Sequence, residues 1–133
     1  MNAQDIKTGY VDGFVLVIPQ KNITAYKKMA RGGANLWMKH GALRYRECVG
    51  DDLHPDMGGM KFLPFPKMAK VKEGETVWFS YIEYKSKKHR DQVNAKVMKE
   101  MEKQQKDNPN AMKDIPFDMK RIAFGGFTVE VSS

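Results

Sequence analysis

The stretch "YRECVGDDLHPD", residues 45–56, gathers the chain's only cysteine, Cys48, with Glu47, Asp51, Asp52, His54 and Asp56. These residue types can ligate a metal or activate a thiol, but their spacing argues against both. No dense ligand spacing is present, and Cys48 has no CxxC partner. On a strand Glu47 and Cys48 point to opposite faces, so one site cannot use both. A nucleophilic Cys48 would need a helix N-terminus, or His54 folded back on it, to lower its pKa. Gly50-Asp51-Asp52 is ordinary turn chemistry. The stretch therefore reads as a strand ending in an acidic turn, with no metal.

Polar residues embedded in apolar runs carry more promise. Asp12, Glu47, Ser80, Glu83 and Arg121 each interrupt a strand-like segment, and a carboxylate in an apolar sheet has to find a partner. Arg44, Arg46 and Arg121 are the available cations, so one reading is a set of salt bridges across the sheet. The other is a ligand pocket lined by Phe14, Trp78, Tyr81 and Phe124, on which Asp12, Glu47, Ser80, Glu83 and Arg121 converge. Within it Asp12 or Glu83, with a raised pKa, would be the proton-abstracting group. His40 and His89 fall at helix ends, where an exposed or capping role fits better than haem ligation. No cofactor is expected.

The elements that must position these residues follow from periodicity. "GYVDGFVLVIP", Gly9 to Pro19, is rich in β-branched and aromatic residues and reads as a strand. From Asn22, a candidate N-cap, Ile23, Tyr26, Met29, Ala30, Gly33, Ala34, Leu36 and Trp37 recur at helical spacing up to a C′ glycine, Gly41. Gly33 lies on the apolar face, where a missing side chain lets the helix approach a sheet; Gly32 points outward. "ALRYRECV", Ala42 to Val49, alternates as a second strand. Residues 50–74 form a long loop, with one helical turn expected over Pro66 to Lys70. Glu75 to Tyr84 is the clearest strand, and Ser86 caps a helix to about Lys106 with Val93, Val97 and Met101 inward. After a connector with one turn near Ala111, "MKRIAFGGFTVEV" is the last strand. Its Gly125-Gly126 marks a bulge or a close backbone approach.

The order β-α-β-β-α-β is that of the α+β ferredoxin-like split βαβ arrangement, an antiparallel four-stranded sheet with both helices on one face. Its strands are apolar on both faces, as in Phe14-Val15-Leu16-Val17-Ile18 and Val77-Trp78-Phe79. Such a sheet needs a cover on the face the helices leave bare. A second copy is the simplest cover, so a homodimer packed through its sheet faces, a dimeric α/β barrel, is expected.

The bulk numbers agree with one domain spanning residues 1–133, its first eight residues a flexible N-terminus. The chain is 41% hydrophobic and 29% charged, a composition that excludes wholesale disorder. It has neither a membrane-length apolar run nor a signal-peptide pattern. One cysteine cannot form an internal disulfide, which fits a cytoplasmic protein. The net charge of +7 is concentrated between Lys85 and Lys106, where eight Lys or Arg face three acids.

"YVDGFVLVIP", "RYRECVGDDL", "ETVWFSYIEYKSKKHRD" and "MKDIPFDMKRIAFGGF" resemble the blocks of the YbaA-like family of uncharacterised bacterial proteins, from Gly9 to Val129. The resemblance implies the dimeric α/β-barrel superfamily and brings no established activity. That superfamily includes cofactor-independent monooxygenases, haem-degrading enzymes and plain ligand-binding domains, and fold analogy does not choose among them.

The function expected is binding of a small organic ligand, with monooxygenase-like or isomerase-like turnover as its catalytic version. One alternative is RNA binding along Lys88, Lys96, Lys99, Lys103 and Lys106. No aromatic residues are interleaved there to stack bases, so nucleic acid ranks lower. The other is an interaction dimer with a solid core.

Overall fold

The computed structural model describes residues 7–110 and 114–133. The turn expected near Ala111 and most of the N-terminal segment lie outside them. The elements run β1 (Tyr10–Pro19), α1 (Ile23–Lys39), β2 (Arg44–Val49), α2 (Phe65–Met68), β3 (Glu75–Tyr84), α3 (Lys87–Asp107) and β4 (Ala123–Thr128), with 3-10 turns over Gln20–Asn22 and Met119–Arg121. The chain is α+β: one four-stranded antiparallel sheet, ordered β2-β3-β1-β4, and three helices. β2 and β4 are its edges.

The register assigns every strand residue to a face. Tyr10 pairs with Tyr84, Asp12 with Ile82, Phe14 with Ser80 and Leu16 with Trp78; Tyr45 pairs with Ile82 and Glu47 with Ser80. These residues share one face, because side chains alternate along a strand and opposite partners point the same way. Both long helices cover that face. Tyr10, Ile82 and Tyr84 pack with Val93 and Val97 of α3, and Leu16, Ile18 and Trp78 pack with Tyr26 and Ala30 of α1. Burying a valine such as Val93 or Val97 contributes roughly 1.5–3 kcal/mol.

Local chemistry sets the helix ends. Ser86 Oγ accepts the His89 N–H at 3.1 Å, satisfying one free donor at the start of α3. Asn22 precedes α1 without capping it; its Nδ2 instead donates to Pro116 O at 3.0 Å. Gly41 follows α1 at φ 110°, as a C′ glycine should. A Cβ on Gly33 would stand 3.2 Å from Tyr45 Oη, whereas one on Gly32 would meet nothing within 4 Å. At Gly126 a Cβ would overlap the Tyr10 hydroxyl, so this glycine marks a close approach, and the β1–β4 register runs through it without a bulge.

Several boundaries differ from the sequence reading: β1 begins at Tyr10 rather than Gly9, and β4 ends at Thr128 rather than Val131. β2 begins at Arg44 rather than Ala42, the helical turn in the long loop covers Phe65–Met68, and β4 begins only at Ala123. The last shift matters most, since it removes Arg121 from the strand. Asp118 Oδ1 accepts the Lys120 N–H at 2.9 Å and starts a 3-10 turn that includes Arg121.

The face away from the long helices carries Val11, Val15, Phe79, Tyr81 and Phe127, together with Arg44, Arg46, Cys48 and Glu83. Phe79 is 44% exposed and Phe127 61%.

Candidate functional site

The expected pocket is divided by the sheet. Asp12, Phe14, Glu47, Trp78, Ser80 and Phe124 point toward the helices, whereas Tyr81 and Glu83 point to the open face. The nine expected residues therefore do not line one cavity on the bare face. Alternation is the reason: a polar residue within an apolar run reveals that it is enclosed, not which face encloses it.

Arg121 belongs to neither group. Its guanidinium grips Glu75 with both ends, Nη1 to Oε2 at 2.5 Å and Nη2 to Oε1 at 2.9 Å, and Nη2 also donates to Lys70 O at 2.9 Å. The cation and its hydrogen bonds hold the Glu75 carboxyl down to about 2. This clasp ties the end of the long loop to the approach of β4. On the open face Glu83 lies 3.6 Å from Arg44 and accepts the Thr8 hydroxyl at 2.9 Å. That pairing leaves it poorly placed as a free base.

Asp12 is 1% exposed beneath α3. Arg90 Nη1 stands 3.8 Å from its Oδ1, and that oxygen accepts no hydrogen bond. Arg90 is turned instead to Tyr10, donating to its hydroxyl at 3.0 Å and standing 5.0 Å from the ring centroid. Burial pushes the Asp12 carboxyl up, and Arg90 pulls it partly back. Sealed beneath the helix, Asp12 is a structural ion pair rather than a group that meets a ligand.

Glu47 is placed differently. It points from the edge strand β2 under α1, half-buried, and each carboxylate oxygen accepts a tyrosine hydroxyl: Tyr26 to Oε2 at 2.9 Å and Tyr45 to Oε1 at 2.8 Å. Desolvation raises its pKa, while the hydrogen bonds from Tyr45, Tyr26 and Ser80 pull the other way. The absent side chain of Gly33 makes room for the Tyr45 hydroxyl, and Tyr26 is set by its edge-on contact with Trp78, centroids 4.9 Å apart.

Glu47 lines an open groove of about 400 Å³ between α1 and β2. Ala30, Ala34, Val49 and the Trp78 ring supply its apolar walls, and Lys27, Arg31 and Arg46 its cations. Ala30 and Ala34 are why the space exists, since larger residues there would fill it. Sequence reasoning singled out Glu47 and Trp78 and missed Tyr26, Tyr45, Lys27 and Arg31. The available signal was the run Lys27, Ala30, Arg31, Ala34, which places two cations and two small residues on one helical strip.

The stretch at residues 45–56 runs from β2 into the long loop. Cys48 is exposed on the open face, opposite in sense to Glu47. Asp56 Oδ1 accepts the Gly58 N–H at 3.1 Å, a side-chain turn in the long loop. Among the described residues no three of His, Cys, Asp and Glu converge as metal ligands would. His89 Nδ1 accepts the Lys85 N–H at 3.0 Å, and His40 lies 3.3 Å from Glu100, so both serve helix ends. Lys88, Lys96, Lys99, Lys103 and Lys106 are exposed along α3. No helix among the described residues is long and apolar enough to cross a membrane.

Known proteins share this arrangement of sequence. A family model described as "Protein of unknown function (DUF1428)" matches residues 9–119. The chain is 42% identical to uncharacterized protein YbaA of Escherichia coli K12 over 118 residues, which cover 89% of this chain and 93% of that protein. The same identity and coverage hold for its counterparts in Escherichia coli O157:H7 and Shigella flexneri. This chain belongs to the DUF1428 family of proteins of unknown function.

Proposed function

We propose that this chain is a cytoplasmic ligand-binding protein that holds a small organic molecule in the groove between α1 and β2. The observation that carries this reading is Glu47: a half-buried carboxylate with a raised pKa, fixed by two tyrosine hydroxyls, on the wall of an accessible groove. Concave sites with apolar walls and a few convergent polar groups are where small ligands bind. The step open to Glu47 there is proton exchange with the bound molecule, which moves the catalytic version of the reading from Asp12 and Glu83 to Glu47.

The proposal includes a homodimer of the ferredoxin-like, dimeric α/β-barrel type. The split of β1 from β2 by β3, and of β3 from β4 by β1, supports the first half of that description. Phe79, Tyr81 and Phe127 on the sheet face without a long helix support the second, because a monomer that exposes such a patch pays for it in solubility.

Native mass spectrometry of gently purified protein tests both parts. A dimer carrying a releasable extra mass is expected, with that mass absent from Ala34→Trp, which fills the groove. A monomer overturns the dimer. An extra mass that persists in Ala34→Trp overturns the groove as the site.

A further inference from the structure

Among the described residues the cations around the α1–β2 groove form no ion pair. Lys27 and Arg31 come from successive turns of α1, and Arg46 reaches around the free edge of β2. The ion pairs among the described residues are Lys39 and His40 with Glu100, Arg44 with Glu83, Arg90 with Asp12 and Asp91, and Arg121 with Glu75. Lys27, Arg31 and Arg46 are in none of them. Glu47, the acid lining the groove, is engaged by tyrosine hydroxyls rather than by a cation. The Arg46 guanidinium turns to nothing better than Tyr45 O, at 3.2 Å. A second groove of about 360 Å³ continues along the same seam and shares Arg31, Tyr45 and Arg46, so the cations stand midway along a longer trough.

Three unpaired cations in a half-enclosed, partly apolar space repel one another, and a neutral ligand would leave that repulsion in place. An organic cation would add to it. A guanidinium with a neighbouring ammonium matches a carboxylate, which two parallel N–H donors can bind in a fork. A phosphoryl group is commonly held by backbone N–H groups at a helix N-terminus. α1 begins at Ile23, a full turn before Lys27, so its free N–H groups are not at this cluster.

Resting on the ligand-binding reading above, we propose that the groove takes a small organic acid, its carboxylate at Lys27, Arg31 and Arg46 and its aromatic or aliphatic body against Trp78, Ala30 and Ala34. Trp78, only 3% exposed, then closes the floor of the groove, and Glu47 meets the inner end of the ligand as a carboxyl group able to exchange a proton with it.

The test pairs acids with their neutral isosteres on the full chain. Phenylacetate, indole-3-acetate and hexanoate are titrated against their primary amides, with benzylamine and phenyl phosphate alongside, by tryptophan fluorescence and thermal shift. At least one acid is expected to bind saturably, ten-fold or more tighter than its amide. Lys27→Ala/Arg31→Ala is expected to weaken it at least ten-fold; both side chains are exposed, and circular dichroism checks that the fold is kept. Amides or benzylamine binding as tightly as the acids would overturn the acid assignment and leave the groove standing. Phenyl phosphate binding tighter than every carboxylate would do the same. No saturable binding by any probe, with no extra mass in the native spectrum, would overturn the groove reading itself.

Discussion

Replacing Gly33 by alanine sets two opposed effects of comparable size on one residue, and its neighbour Gly32 isolates one of them. Each glycine sits inside α1, where alanine is favoured by about 1 kcal/mol through helix propensity. At Gly32 the new methyl meets nothing within 4 Å, so the whole gain should appear. It would raise the urea midpoint by roughly 0.5 M and Tm by about 4 °C for a domain of this size. At Gly33 the same methyl would lie 3.2 Å from Tyr45 Oη, and the hydroxyl must retreat by a few tenths of an ångström. That hydroxyl is the one donating to Glu47 at 2.8 Å. Weakening a hydrogen bond to a charged group forfeits up to about 1.5–3 kcal/mol, enough to offset the propensity gain. Gly33→Ala should therefore fall below Gly32→Ala in stability by up to about 3 kcal/mol, the propensity gain being common to both. Urea unfolding of both variants at pH 7, followed by circular dichroism, measures the gap. The double variant Gly33→Ala/Tyr45→Phe should show a favourable coupling, because the atom in the way is gone. Equal stabilisation at the two glycines would refute the claim that Gly33 makes room for the tyrosine that holds Glu47.

Other expectations follow from the same groups. Glu47 has a raised folded-state pKa, so the folded state binds its proton more tightly than the unfolded state. Stability should fall as pH rises from the ordinary glutamate range through that raised value, and Glu47→Gln should lack this part of the slope; urea midpoints of both proteins from pH 4 to 7 give the difference. Glu75 behaves in the opposite sense: its contribution is present above the ordinary glutamate pKa and is lost as pH falls toward about 2. Arg121→Ala should thus be less stable than wild type at pH 7 and converge on it near pH 2, a comparison thermal melts at the two pH values can make. Truncating Arg90 to alanine leaves the sealed Asp12 without its cation, and a loss of about 3 kcal/mol in unfolding free energy is expected, the cost of orphaning one partner of a buried pair. Phe79→Asp, on the open sheet face, should shift sedimentation toward the monomer while circular dichroism stays native; a variant that remains dimeric would refute that face as the contact.

The strands and both long helices are legible in the sequence because each is strongly patterned. Val93 and Val97 mark the inner stripe of α3, and β3 is a continuous run of strand formers from Glu75 to Tyr84. Gly33 and the outward Gly32 can be read from position on a helical wheel alone. The site is harder. Asp12, Glu47 and Ser80 stand out as polar residues in apolar company, but the face they occupy depends on strand register and on where the helices pack, which are long-range facts. Lys27 and Arg31 look like solvated helix positions until β2 is laid beneath α1. Arg121 looks like a strand residue because "KRIAFGG" runs straight into β4; the local Asp118 turn, a side-chain to backbone bond, outweighs the strand pattern there.

The sheet order β2-β3-β1-β4 has a consequence for the chain as a polymer. The long loop between β2 and β3 cuts the molecule into a first half holding β1, α1 and β2 and a second holding β3, α3 and β4. Across the sheet the two halves alternate, so each of its ladders, β2 with β3, β3 with β1 and β1 with β4, joins one half to the other. Neither half owns a single strand pair. A chain severed at Gly58-Gly59 would yield two fragments that are each unable to form sheet alone and fold only by interleaving. The same order forbids a nascent first half from completing its sheet before the second has been made.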